Sequence, residues 1–206
     1  MKTSLKIILP IIILTLFFIL ATYLGHTWGS AIEHYIVEHE YVFLGYLAYI
    51  GLMFVATVAA PLSTLPLIPI AVSVWGSFIV AILSIIGWSF GAICAFYLSR
   101  RYGMPVVRKF VSQEKIERIN NNIPQDRNLL ASIILLRMVV PVDILSYALG
   151  IFPRVTWKPY VIGTIIGILP FSFIFAYLGG LSVKFQIIGL LIITPPLFYF
   201  WTKHKT

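Results

Sequence analysis

The chain has 206 residues, 60% of them apolar, with a mean hydropathy of +0.97 and only 11% charged residues. A soluble globular chain carries about a quarter charged residues, so a water-soluble domain is excluded, as are a disordered chain, a fibrous repeat and a disulfide scaffold, given the single cysteine, Cys94. The net charge of +8 in so apolar a chain points to basic loops held against anionic lipid, not to nucleic acid.

The first apolar segment, 7–24, follows Lys2 and Lys6 and lacks a small-x-small cleavage site. It reads as an uncleaved anchor rather than a signal peptide. An acidic, histidine-bearing loop follows over 25–40, with His26, Glu33, His34, Glu38, His39 and Glu40. His34 and Glu38 stand one helical turn apart, but the cluster lacks a metal-site spacing. His39-Glu40 opens like a zinc-protease motif, yet position 43 is Phe, not His. No metal is expected.

Residues 41–99 carry no charge at all. A membrane helix needs about 20 apolar residues to cross about 30 Å of hydrocarbon, so 41–60 and 77–99 read as spans. Between them, 61–75 carries Pro61, Pro66 and Pro69. As a helix it reaches roughly 22 Å, short of a crossing, and proline breaks the hydrogen-bond ladder. It reads as a re-entrant hairpin.

Residues 100–128 form a basic loop with Arg100, Arg101, Arg108, Lys109, Lys115, Arg118 and Arg127. Ser112 can cap a helix that starts at Gln113, with Glu114 in its first turn. The loop fixes orientation, and Arg100, Arg101, Arg108 and Lys109 are candidates for lipid headgroups. Charge bias places it in the cytoplasm with Lys203 and Lys205.

The segment 131–152 is long enough to cross but is interrupted by Arg137, Pro141 and Asp143. It reads as a second re-entrant hairpin, tolerated only inside protein or around a wet cavity. Further spans are expected over 159–183 and 185–201. Counting crossings with two such hairpins puts Lys2 and Lys6 on the face opposite the basic loop, which conflicts with the charge rule; a crossing by 61–75 would remove the conflict but break the repeat symmetry.

A shift of 80 residues lays Pro61 on Pro141, Gly87 on Gly167 and Tyr97 on Tyr177. Each unit, 61–100 and 141–180, is a broken hairpin followed by a long helix. One crossing separates the hairpins, so they enter from opposite sides. Inverted repeats with paired broken helices are a transporter arrangement. The fold expected is an all-α polytopic membrane protein: about five spanning helices plus two re-entrant helical hairpins in an inverted repeat. Residues 1–40 are the anchor and loop, 41–180 the transmembrane domain, and 181–206 a last helix with a basic tail. Gly87, Gly91, Gly163 and Gly167 sit four apart in pairs and read as helix-packing positions, with a homodimer face as the alternative.

Arg137 and Asp143 are the charges set well inside apolar segments, where a bare charge costs at least about 3 kcal/mol. They form either a structural ion pair or a substrate or proton site. Arginine binds phosphate bidentately, and a buried aspartate can carry a proton. No histidine lies within an apolar segment to serve a serine nucleophile. No Walker A or dinucleotide fingerprint is present. No catalytic residue and no cofactor is expected.

These residues resemble the DedA superfamily, also called SNARE-associated Golgi or VTT-domain proteins, in its TVP-like branch. The similarity spans about 41–180. It rests on Pro61, on Trp75-Gly76, on Gly87-x-x-x-Gly91-Ala92-x-x-x-Phe96 leading to Arg100-Arg101-Tyr102-Gly103, and on Leu136-Arg137. Pro141-Val142-Asp143-Ile144-Leu145-Ser146-Tyr147-Ala148-Leu149-Gly150, Gly163, Gly167 and the Tyr177-Leu178-Gly179 ending complete it. There are departures: Ser146 stands where the family often has Asn, Ser73 where it often has Gly, and no acid sits in the first hairpin. The resemblance implies facing hairpins and an integral membrane lipid translocase, flippase or scramblase, for phospholipids or polyprenyl phosphates, some members being ion-coupled. It implies membrane lipids as partners, a proton or cation for coupling, and a bacterial cytoplasmic membrane. Arg137, Asp143, Ser146 and Tyr147 are the substrate or ion candidates it singles out, with Pro61, Pro66, Pro141 and Gly150 shaping the hairpins. A carrier of small ions or solutes and a non-transporting scaffold are the competing readings.

Overall fold

The computed structural model describes residues 2–59, 63–111, 113–121, 129–139 and 142–188, with side chains for most of them. Within these the elements are α1 (Lys2–Glu38), α2 (Val42–Ala59), α3 (Leu67–Trp75), α4 (Ser77–Tyr102), α5 (Met104–Phe110), α6 (Gln113–Asn121), α7 (Leu129–Val139), α8 (Val142–Gly150) and α9 (Trp157–Gly180). The all-α architecture is the one the apolar pattern requires, because lipid offers backbone groups no partners. Among the described residues, α2, α4 and α9 are long and apolar enough to cross a membrane. Pro61, Pro141 and most of the last expected span, 185–201, lie outside the described residues.

The first helix does not end where the apolar run ends. Nothing after residue 24 forbids helix, so α1 continues to Glu38 through the stretch read as a loop, about 55 Å in all. It stops where Glu40 adopts a left-handed backbone, φ 56°. Gly25 and Gly29 let it lie against α3. A Cβ on Gly25 would stand 3.1 Å from the Pro69 carbonyl, and one on Gly29 2.7 Å from the Ser73 Cβ. Gly76, at φ +77°, separates α3 from α4 in a single residue, a backbone state that side chains disfavour.

The two halves repeat each other's packing. Gly87 of α4 faces Ile50 and Met53 of α2, and Gly91 faces Phe54 and Thr57. In the second half Gly163 of α9 faces Leu130 and Ile133 of α7, and Gly167 faces Ile134 and Arg137. In each half the first helix thus runs parallel to the long helix, and Met53 and Arg137 are counterparts. The return helices are exchanged. Pro69 of α3 packs on Gly179 of α9, while Gly150 of α8 packs on Phe96 and Ser99 of α4. Two cross-repeat hydrogen bonds join the long helices: the Ser172 hydroxyl donates to the Ala81 carbonyl (2.8 Å), and the Tyr160 hydroxyl to that of Ala92 (2.7 Å).

These contacts fix the path of the chain. Trp75, at the end of α3, packs on Gly45, Tyr46 and Tyr49 near the start of α2. The turn between them meets α4 at mid-height, where the Trp88 indole donates to the Thr64 hydroxyl (3.1 Å). So α2 and α3 together enter and leave on the face of Ser77. The segment 41–60, which has the length and composition of a span, is the first arm of this hairpin. The aromatic contacts of Trp75 bring the chain back. The second hairpin, α7 and α8, starts and ends on the opposite face, by Tyr102. Neither arm of it, at about 16 and 13 Å, could cross.

This path removes the charge conflict. α1 runs parallel to α3, since Gly25 meets Pro69 and Gly29 meets Ser73, and so heads for the Ser77 face. From Lys2 to Gly29 it rises about 40 Å. Its basic start therefore shares the Tyr102 face with the basic loop, as the charge rule demands.

Candidate functional site

α7 carries Arg137 in its last turn, and α8 begins at Val142. The break between them leaves the Val142 carbonyl and the end of α7 close together. Arg137 is only 3% exposed, opposite Gly167, which lies about 15 Å along α9 from Trp157. That is the middle of the membrane-crossing helix.

Its partners are all neutral. Nη1 donates to the Val142 carbonyl at 2.7 Å. Nη2 faces three hydroxyls, Ser146 at 3.1 Å, Tyr160 at 3.0 Å and Thr164 at 2.8 Å. Two hydrogens thus serve three acceptors. The Nε–H, buried beside them, has no partner. The guanidinium also lies 5.5 Å from the centre of the Tyr160 ring, a cation–π contact. Ser146 in turn donates to the Val142 carbonyl.

Asp143 makes no contact ion pair with this guanidinium. It is half-buried in the first turn of α8, where the helix dipole favours a carboxylate. Among the described residues the salt bridge within 4.0 Å is His34–Glu38, both side chains exposed, and not Arg137–Asp143. The structural ion pair considered from sequence is therefore absent. An unpaired buried cation is expensive, and the neutral hydroxyls only partly compensate it. Among the described residues no three metal-ligating side chains converge, the histidine-rich end of α1 included.

The remaining sequence candidates fall in three places. Tyr147, 1% exposed, turns away from Arg137 and donates to the Val58 carbonyl at the end of α2 (2.6 Å). Gly150, Gly87, Gly91, Gly163 and Gly167 are contact positions, and Pro66 precedes α3. Arg100 is exposed, but its Nε and Nη2 donate to protein carbonyls. Nε bonds the Gly150 carbonyl (2.6 Å), and Nη2 those of Phe152 (3.0 Å) and Val155 (2.8 Å). It closes the end of α8, where helix carbonyls lack intrahelical partners. Arg101 and Arg108 are exposed, and the Lys109 side chain lies outside those described.

Tyr160 and Thr164 were not among the sequence candidates. With Gly167 they lie at i, i+4 and i+7, one face of α9, and that spacing was the available signal. Phe96 stacks on the Tyr160 ring at 3.9 Å and holds it in place.

A family model described as the VTT domain matches residues 60–181. The chain belongs to the VTT-domain family. This is the domain of the DedA and SNARE-associated Golgi proteins, and the chain is an integral membrane protein of that family. No curated protein and no solved structure matches the chain. The VTT match runs from the first hairpin's turn to the end of α9, and includes Arg137 and every partner it has. It leaves out α1 and all of α2, although α2 supplies one arm of the first hairpin.

Proposed function

We propose that this VTT-domain protein is a lipid translocase, a flippase or scramblase for lipids with phosphate headgroups such as phospholipids or polyprenyl phosphates. One observation carries the reading: Arg137 is buried at mid-height among neutral hydrogen-bond partners, with no carboxylate within 4.0 Å and its Nε–H unused. An oxyanion on the Nε–Nη2 edge would supply the missing countercharge and accept in the planar geometry that suits phosphate. Nη2 already has one acceptor more than hydrogens, so a neutral hydroxyl can be displaced at little cost. Two hairpins opening to opposite faces support alternating exposure of that charge. Asp143, half-buried near the same break, is the group for proton or cation coupling. The membrane is the bacterial cytoplasmic one, with the Tyr102 face inside.

A second reading, a carrier of small anions, is favoured by the close burial of Arg137, which leaves no room for acyl chains in this conformation. Purified protein in liposomes separates the two. Transfer of labelled phospholipid or polyprenyl phosphate between leaflets without ATP supports the translocase. Uptake of inorganic phosphate without lipid transfer supports the carrier. Neither activity contradicts both and leaves a scaffold.

A further inference from the structure

The two hairpins touch at a hydrogen bond that neither helix needs for its own ladder. Val58 lies in the last turn of α2, whose final carbonyls have no intrahelical donor. The donor comes from the other repeat: the Tyr147 hydroxyl of α8, at 2.6 Å. The Tyr147 ring is seated among Val107, Val111 and Ile116 of the surface segment and Ala95 of α4. Its position is therefore set by the Tyr102 face, while its hydroxyl holds the tip of the hairpin that opens to the Ser77 face. Tyr147 adjoins Ser146, and Ser146 touches Arg137. Parting the hairpins at Val58 would thus loosen the wall beside the buried guanidinium.

We propose that Tyr147 is a latch: its hydrogen bond to Val58 holds the hairpins closed over Arg137, and breaking it exposes that site. The inference rests on the translocase reading for its purpose, but not for its test. Tyr147→Phe keeps the ring and its packing and deletes only the hydroxyl. In protein lacking Cys94, a Ser146→Cys reporter sits at a position buried in the closed state. Its reaction with a small water-soluble thiol reagent reads the open fraction.

Removing one hydrogen bond of ordinary strength from the closed state alone should raise the labelling rate about fivefold. Tyr147→Leu, which loses the ring as well, should raise it further. Thermal unfolding of each variant checks that labelling reports opening and not global unfolding. An unchanged labelling rate in folded Tyr147→Phe overturns the latch. So does a rise that only follows a matching fall in unfolding temperature. Liposome assays of the parent protein decide lipid transfer separately, so either idea can fail alone.

Discussion

Met53 and Arg137 occupy equivalent positions in the two halves of the molecule. A Cβ built on Gly87 would stand 2.5 Å from the Cβ of Met53, and one built on Gly167 2.6 Å from the Cβ of Arg137. One half buries a thioether there and the other a guanidinium. The fold is two-fold in shape but not in charge. The neutral half places the Tyr49 and Ser84 hydroxyls 2.8 Å apart near Met53, and Ser84 corresponds to Thr164 in the repeat. The first half thus keeps one of the three hydroxyl positions, with Val80 and Pro66 standing where the second half has Tyr160 and Ser146.

The close approaches at the long helices predict sharp size limits. Gly87→Leu and Gly167→Leu should each cost about 3 kcal/mol or more, or prevent folding, since α2 or α7 would have to move away. Gly51→Ala is the control. A Cβ there meets nothing within 4 Å, so stability should change by no more than about 1 kcal/mol. Thermal unfolding in detergent gives the comparison. Equal effects at the three positions would contradict the packing.

Arg100 and Arg101 are neighbours with different work. Arg100→Gln should cost about 1–3 kcal/mol, because three carbonyls, the last of α8 and two just beyond it, lose a charged donor and solvent replaces only part of it. Arg101→Gln should stay within about 0.5 kcal/mol. If the two variants unfold at the same temperature, the cap on α8 is not what Arg100 provides.

Much of this was legible in the chain. Pro66, the short uncharged stretch around it and the charges at 137 and 143 marked both hairpins. The paired glycines marked the long helices that receive them. The extent of the first hairpin was not legible, because α2 has the length and apolarity of a crossing helix. Its return depends on Trp75 meeting Gly45, Tyr46 and Tyr49, thirty residues back. Tyr160 and Thr164 escaped notice because single hydroxyls in an apolar helix satisfy themselves on nearby carbonyls. Only the fold shows them facing Arg137. The acidic stretch after residue 24 looked like a loop because polarity, not helix propensity, was the visible change there.

The chain path makes a topological prediction. In protein lacking Cys94, cysteines at positions 40 and 76 should both react with a membrane-impermeant reagent from one face. Cysteines at positions 103 and 153 should react from the other. Reaction of positions 40 and 76 from opposite faces would restore α2 as a crossing helix and return the basic N-terminus to the wrong side.

Substitution at Arg137, read in lipid-transfer liposomes, decides whether this guanidinium recognises a phosphate oxyanion at mid-membrane. Arg137→Gln removes the charge and should insert and fold, since the surrounding hydroxyls can bond an amide, yet lose lipid transfer. Arg137→Lys keeps a charge but not the planar fork. It should lose at least about tenfold in transfer rate, the worth of roughly 1.4 kcal/mol. Full lipid transfer by a stably folded Arg137→Gln protein would contradict the account.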